Sequence, residues 1–132
     1  MKFIEQPYHS KKCGQACLAM ITGKTVEEIC SALENNWSTS MDRDIQRYLN
    51  RNDFSTSITY NHKLSFEKIP NNSIIRVCYP NEAAHFVVKH KDKIYDPSVG
   101  IIDQMLAYVK ITHYLTYEKR KSANKNAKEN HS

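Results

Sequence analysis

The sequence predicts an α+β fold in which helices from the N-terminal part pack against an antiparallel sheet built by the C-terminal part. Three observations carry this expectation. Apolar residues recur at helical spacing from Cys13 to about Asn52. After Phe54 the pattern changes to short β-branched and aromatic runs. Two of those runs are separated by the two-residue break Lys91-Asp92, which is a hairpin signal. With 132 residues, 40% hydrophobic and 25% charged, the chain has the size and composition of one globular domain.

Taken in order, Gln6 to Ser10 is a polar approach in which Pro7 biases Gln6 towards extended backbone. The first helix should run from about Cys13 to Thr22 and stop at Gly23. Thr25-Val26-Glu27-Glu28 is a capping box, and Val26, Ile29, Cys30 and Leu33 follow on one face of a second helix that ends at Asn35-Asn36. A third helix begins near Thr39 or Ser40, buries Met41, Ile45, Tyr48 and Leu49, and ends near Arg51. Strands are expected over Ser55 to Tyr60, Ser73 to Tyr79, His85 to His90 and Lys93 to Asp96. Leu64 to Ile69 fits a single helical turn before Pro70, and Pro97 to Gly100 a turn. Asp103 should cap a short helical segment containing Met105 and Leu106. Val109, Ile111, His113, Leu115 and Tyr117 alternate with polar residues and predict a last strand with one apolar face.

The formal net charge is +5, but the residues from Glu118 to Ser132 hold five basic and two acidic side chains, so the body is only weakly basic. That tail is too polar to offset its own ordering entropy and is expected to be disordered. Its charge reads as solubilising rather than as a nucleic-acid site. No apolar run approaches the roughly 20 residues of a membrane span, and Met1 to Ser10 lacks the apolar segment of a signal peptide. The expected location is therefore cytoplasmic, and the four cysteines read as thiols rather than as a disulfide framework.

Cys13 falls at the first turn of the first helix, where unpaired N–H groups and the helix dipole favour negative charge. This makes it a candidate nucleophile, which needs an imidazole base and a group to orient that base. Among six histidines, His85 opens a strand directly after the loop Pro80 to Ala84. The hairpin should bring Asp96 to the same open end, where it can hold the ring. The competing reading of any free cysteine is core, and it suits Cys17, Cys30 and Cys78. Cys13 and Cys17 could form half a zinc site, but no second ligand pair follows, and His9, His62 and His113 fall at unrelated separations. A redox pair favours C-x-x-C spacing. His90 and His113 read as half-exposed strand residues.

Gln6, Cys13-Gly14-Gln15-Ala16-Cys17-Leu18-Ala19-Met20, His85-Phe86-Val87-Val88 and Asp96-Pro97-Ser98-Val99-Gly100 together resemble the C39 family of papain-like cysteine peptidases, in the same order along the chain. The resemblance implies a papain-like fold over residues 1–117, with the basic tail 118–132 outside it. It implies that Cys13 is the nucleophile, His85 the general base and Asp96 its orienter. Gln6 would donate to the oxyanion together with the Cys13 backbone N–H. The implied activity is that of a thiol protease or hydrolase cleaving an amide bond, with a protein or peptide substrate held extended in the cleft and no cofactor or metal. Two other outcomes stay open. The same site type also performs deamidation, transglutamination or removal of ubiquitin-like modifiers, as an effector acting on a protein. An inactive relative would instead be a peptide- or nucleic-acid-binding module.

Overall fold

The structure, a computed structural model, describes residues 1–60 and 64–121. Among them, three helical segments precede a six-stranded antiparallel sheet. The helices are α1 (Cys13–Thr22), α2 (Val26–Leu33) and a third that starts as a π-helical stretch over Met41–Gln46 and continues as α3 (Arg47–Arg51). The strands are β1 (Phe54–Thr59), β2 (Ser73–Cys78), β3 (Ala84–His90), β4 (Lys93–Asp96), β5 (Gly100–Ile102) and β6 (Lys110–Lys119). Their order across the sheet is β1-β6-β2-β3-β4-β5.

The helix boundaries follow local chemistry. Gly23 ends α1 in the left-handed region (φ 78°), and its N–H caps the Ala19 carbonyl. Thr25 and Glu28 form both bonds of the capping box, at 3.0 and 2.9 Å. The wide start of the third helix was not foreseen. Its cause is visible at Ser40, whose carbonyl accepts from both Asp44 and Ile45 while its own N–H donates to the Asp44 carboxylate. The four apolar residues expected there are all buried.

The three helices lie on one face of the sheet. α1 is the central element, buried continuously from Gly14 to Met20, and it packs with α2, the third helix and the sheet residues Ile74, Phe86, Val88 and Leu115. The opposite sheet face carries Ile75, Val77, Val87, Ile94 and Ile111. It is covered by Ile69, Leu64, Phe66 and Met105 from connecting segments. Lys89 ties this cover down, its buried ammonium donating to the carbonyls of Phe66, Glu67 and Ile69.

Four sequence expectations change in the sheet half of the chain. The segment after Asp103 is irregular instead of helical, and Asp103 forms an ion pair with Lys93. Gly100 to Ile102 pairs with β4 as an unforeseen edge strand. The last strand exists, but its apolar alternation is broken. Arg76 faces His113 while Val77 faces Ile111, so Thr112 is an extra residue bulged out of β6. Ile111 and Tyr114 therefore serve one sheet face and Leu115 the other. β6 also outlasts the expected limit at Tyr117: Glu118 and Lys119 pair with Ser55 and Phe54, and the Lys119 ammonium sits over the Phe54 ring. The rest of the proposed disordered tail, from 122 onward, lies outside the described residues, as does His62.

Candidate active site

Cys13 is half-buried at the N-terminus of α1. The residue before the helix, Lys12, provides no side-chain cap, and no acidic residue occupies the first turn. The first-turn N–H groups are thus uncapped by side chains, and the positive end of the helix dipole is uncompensated. The next two residues fix the wall facing the thiol. A Cβ at Gly14 would run into Thr39 Oγ1, so this position has no room for a side chain. Gln15 is wholly buried, and its amide donates to the carbonyls of Asn35 and Trp37 at 3.0 and 2.8 Å, tying loop 35–39 to α1.

The hairpin does what its spacing predicts. Lys91 and Asp92 both take positive φ, the backbone of a tight two-residue turn, and His90 pairs with Lys93. That register carries Asp96 to the end where His85 stands. Asp96 Oδ1 lies 2.7 Å from His85 Nε2, and both side chains are buried. Nε2 is thereby committed, which leaves Nδ1 for another partner. The Cys13 thiol is within interaction range of the ring. Burial works against protonation of His85, yet the hydrogen bonds to Asp96 and Cys13, with the negative charge of both, push its pKa from the ordinary 6.5 up to about 9. The Tyr79 ring flanks the imidazole at 6.2 Å.

Gln6 reaches the same cleft and is held from both ends. Its backbone N–H donates to Pro97, its side-chain amide donates to the Ser10 carbonyl at 3.1 Å, and its amide oxygen accepts from Ser98 Oγ at 2.9 Å. The Ser98 N–H in turn donates to Asp96 Oδ1 at 2.9 Å. One chain of bonds therefore runs from the histidine ring through Asp96 and Ser98 to Gln6. Ser98 was not singled out from sequence, although Asp96-Pro97-Ser98 is the pattern of a turn closed by an aspartate side chain.

Gln6, Cys13, Tyr79, His85 and Ser98 line a cleft of about 460 Å³ together with Lys11, Thr39, Arg76 and Phe86, with Asp96 behind His85. Larger hollows of about 810 and 530 Å³ lie elsewhere, one between α2 and the third helix and one beside Lys89. Neither contains a cysteine or a histidine.

The remaining cysteines separate as follows. Cys17 is fully buried and Cys30 nearly so, in keeping with core roles. Burial raises the Cys17 thiol well above its ordinary value, with Cys13 and Asp96 adding to the rise. Cys78 departs from the core reading: it is half-exposed at the end of β2, with its sulfur 3.6 Å from the Tyr79 carbonyl. His90 and His113 are partly exposed on strands, as read. Among the described residues no three His, Cys, Asp or Glu side chains gather as a metal site, and no helix is long and apolar enough to cross a membrane. No family model matches the chain, and no curated protein matches it either.

Proposed function

We propose that this chain is a papain-like, C39-like cysteine hydrolase that cleaves an amide bond in an extended peptide. The observation that carries the proposal is the buried 2.7 Å pair of His85 and Asp96 beside a cysteine at an uncapped helix N-terminus. A thiol, a ring with one nitrogen committed to a carboxylate, and a cleft onto both are the parts that acyl transfer through sulfur requires.

The reaction follows from those parts. Cys13 Sγ attacks the carbonyl carbon, and the carbonyl oxygen takes up the negative charge. The Cys13 backbone N–H and the Gln6 amide would stabilise that oxygen, a contribution of roughly 3–4 kcal/mol per donor in sites of this kind. Gln6 retains donor capacity because its amide oxygen, fixed by Ser98, leaves the NH₂ group turned towards Ser10 with a second proton uncommitted. His85, whose pKa of about 9 keeps the ring protonated at neutral pH, gives its proton to the leaving amine. The C–N bond breaks and a thioester on Cys13 remains. Neutral His85 then takes a proton from water, whose oxygen attacks the thioester; the C–S bond breaks, the carboxylic acid leaves, and Cys13 Sγ is freed beside the protonated His85.

A peptidyl vinyl sulfone followed by peptide mapping tests this. Labelling confined to Cys13, and reduced at least about a hundredfold in His85→Ala, is expected. Labelling that ignores Cys13, or that persists in His85→Ala, overturns the assignment.

A further inference from the structure

We propose that the cleft selects an acidic peptide segment and that Arg76 is the residue that reads it; this rests on the hydrolase reading above. Arg76 lies on β2 opposite Phe86, next to the point where β6 bulges. The extra residue, Thr112, is out of register with β2 but reaches Arg76 through its side chain. Its hydroxyl donates to the Arg76 carbonyl at 3.1 Å and accepts from the Arg76 guanidinium at 3.2 Å. Bulges re-aim side chains beside sites, and this one holds a long side chain that would otherwise sample many rotamers.

Arg76 is half-buried and lines the same cleft as Cys13 and His85. Among the described residues no carboxylate comes within ion-pair distance of it; the ion pairs there are His85 with Asp96 and Lys93 with Asp103. Nor does any acidic side chain line the cleft, while Lys11 adds a second cation at its rim. A guanidinium presents five donors in a planar fork that matches a carboxylate, and partial burial of an unpaired charge is unfavourable. A cation clamped in a cleft under those conditions is matched to an anion that arrives with the substrate. In an extended peptide, an Asp or Glu side chain near the scissile amide supplies it.

The test uses the full chain and neutral iodoacetamide, with decapeptides of Ala, Gly and Ser in which one Asp is moved along the sequence, and their Asn counterparts. Each peptide is scored by the concentration that halves the Cys13 alkylation rate. At one or more positions, Asp should protect at about tenfold lower concentration than Asn, as expected of a charge-assisted bidentate contact. The ratio is taken within each variant, so changes in the thiol's own rate cancel. Arg76→Gln should bring the ratio to one, Arg76→Lys should restore part of it, and Lys11→Gln should retain it. Equal protection by Asp and Asn at every position overturns the inference, as does a preference that survives in Arg76→Gln or vanishes in Lys11→Gln. Alkylation of Cys13 no faster than that of Cys78 in the unmodified chain would overturn the hydrolase reading and this inference with it.

Discussion

Replacing Asp96 by Asn removes the charge beneath His85 while keeping the shape of the side chain. Below pH 6.5 the ring is protonated in both the folded and the unfolded chain, so the stabilisation from its partners is fully present. Between 6.5 and about 9 the unfolded chain releases the proton and the folded chain keeps it, so stability falls as pH rises. At about 1.4 kcal/mol per pH unit, that interval corresponds to roughly 3 kcal/mol. Asp96 and Cys13 share the effect, and burial opposes it, so Asp96→Asn should erase about 1.5–3 kcal/mol of the pH-dependent loss. Urea denaturation of both proteins at pH 6, 7.5 and 9.5 measures this. His90 and His113, which burial holds below the ordinary value, are common to both proteins and cancel in the comparison. Stability curves that run parallel within about 0.5 kcal/mol across the interval would refute the electrostatic account of the pair.

Two further substitutions test the support around the thiol. Gly14→Ala should destabilise the fold by about 1–3 kcal/mol in urea and lower the Cys13 alkylation rate, because the new methyl group displaces Thr39 from the wall of the cleft; unchanged values in both would show that the wall is not fixed there. Cys17→Ala should cost about 1–2 kcal/mol by leaving a small void in the buried face of α1 while Cys13 remains the labelled residue; loss of Cys13 labelling would instead tie Cys17 to the site.

Much of the site was legible because its residues sit where local rules act. A helix bounded by Gly23, a capping box at Thr25 and a two-residue turn at Lys91-Asp92 are short-range signals, and each fixes an element within a few residues. The turn decided most, because its length sets the strand register and the register puts Asp96 under His85. What escaped depends on contacts distant in sequence. The bulge at Thr112 is invisible without its partner strand, and the unbroken alternation from Val109 to Tyr117 argued for a regular ladder. Gly100 to Ile102 is too short for periodicity to register and owes its strand geometry to pairing with β4. Arg76 is separated from Thr112 by 36 residues and Ser98 from Gln6 by 92, so neither partnership could be read along the chain. Cys78 failed as a core residue because it stands at the end of β2, where the sheet opens onto the loop after it.

The most direct test of the Cys13–His85 pair is the pH dependence of iodoacetamide alkylation, with the modified residue identified by peptide mapping. With a ring beside it that holds its proton to about pH 9, Cys13 should be alkylated at pH 6 on the order of a hundredfold faster than in His85→Ala and far faster than Cys78. A Cys13 rate that is negligible at pH 6, rises only in the range of an ordinary free thiol and is indifferent to His85→Ala would contradict the account.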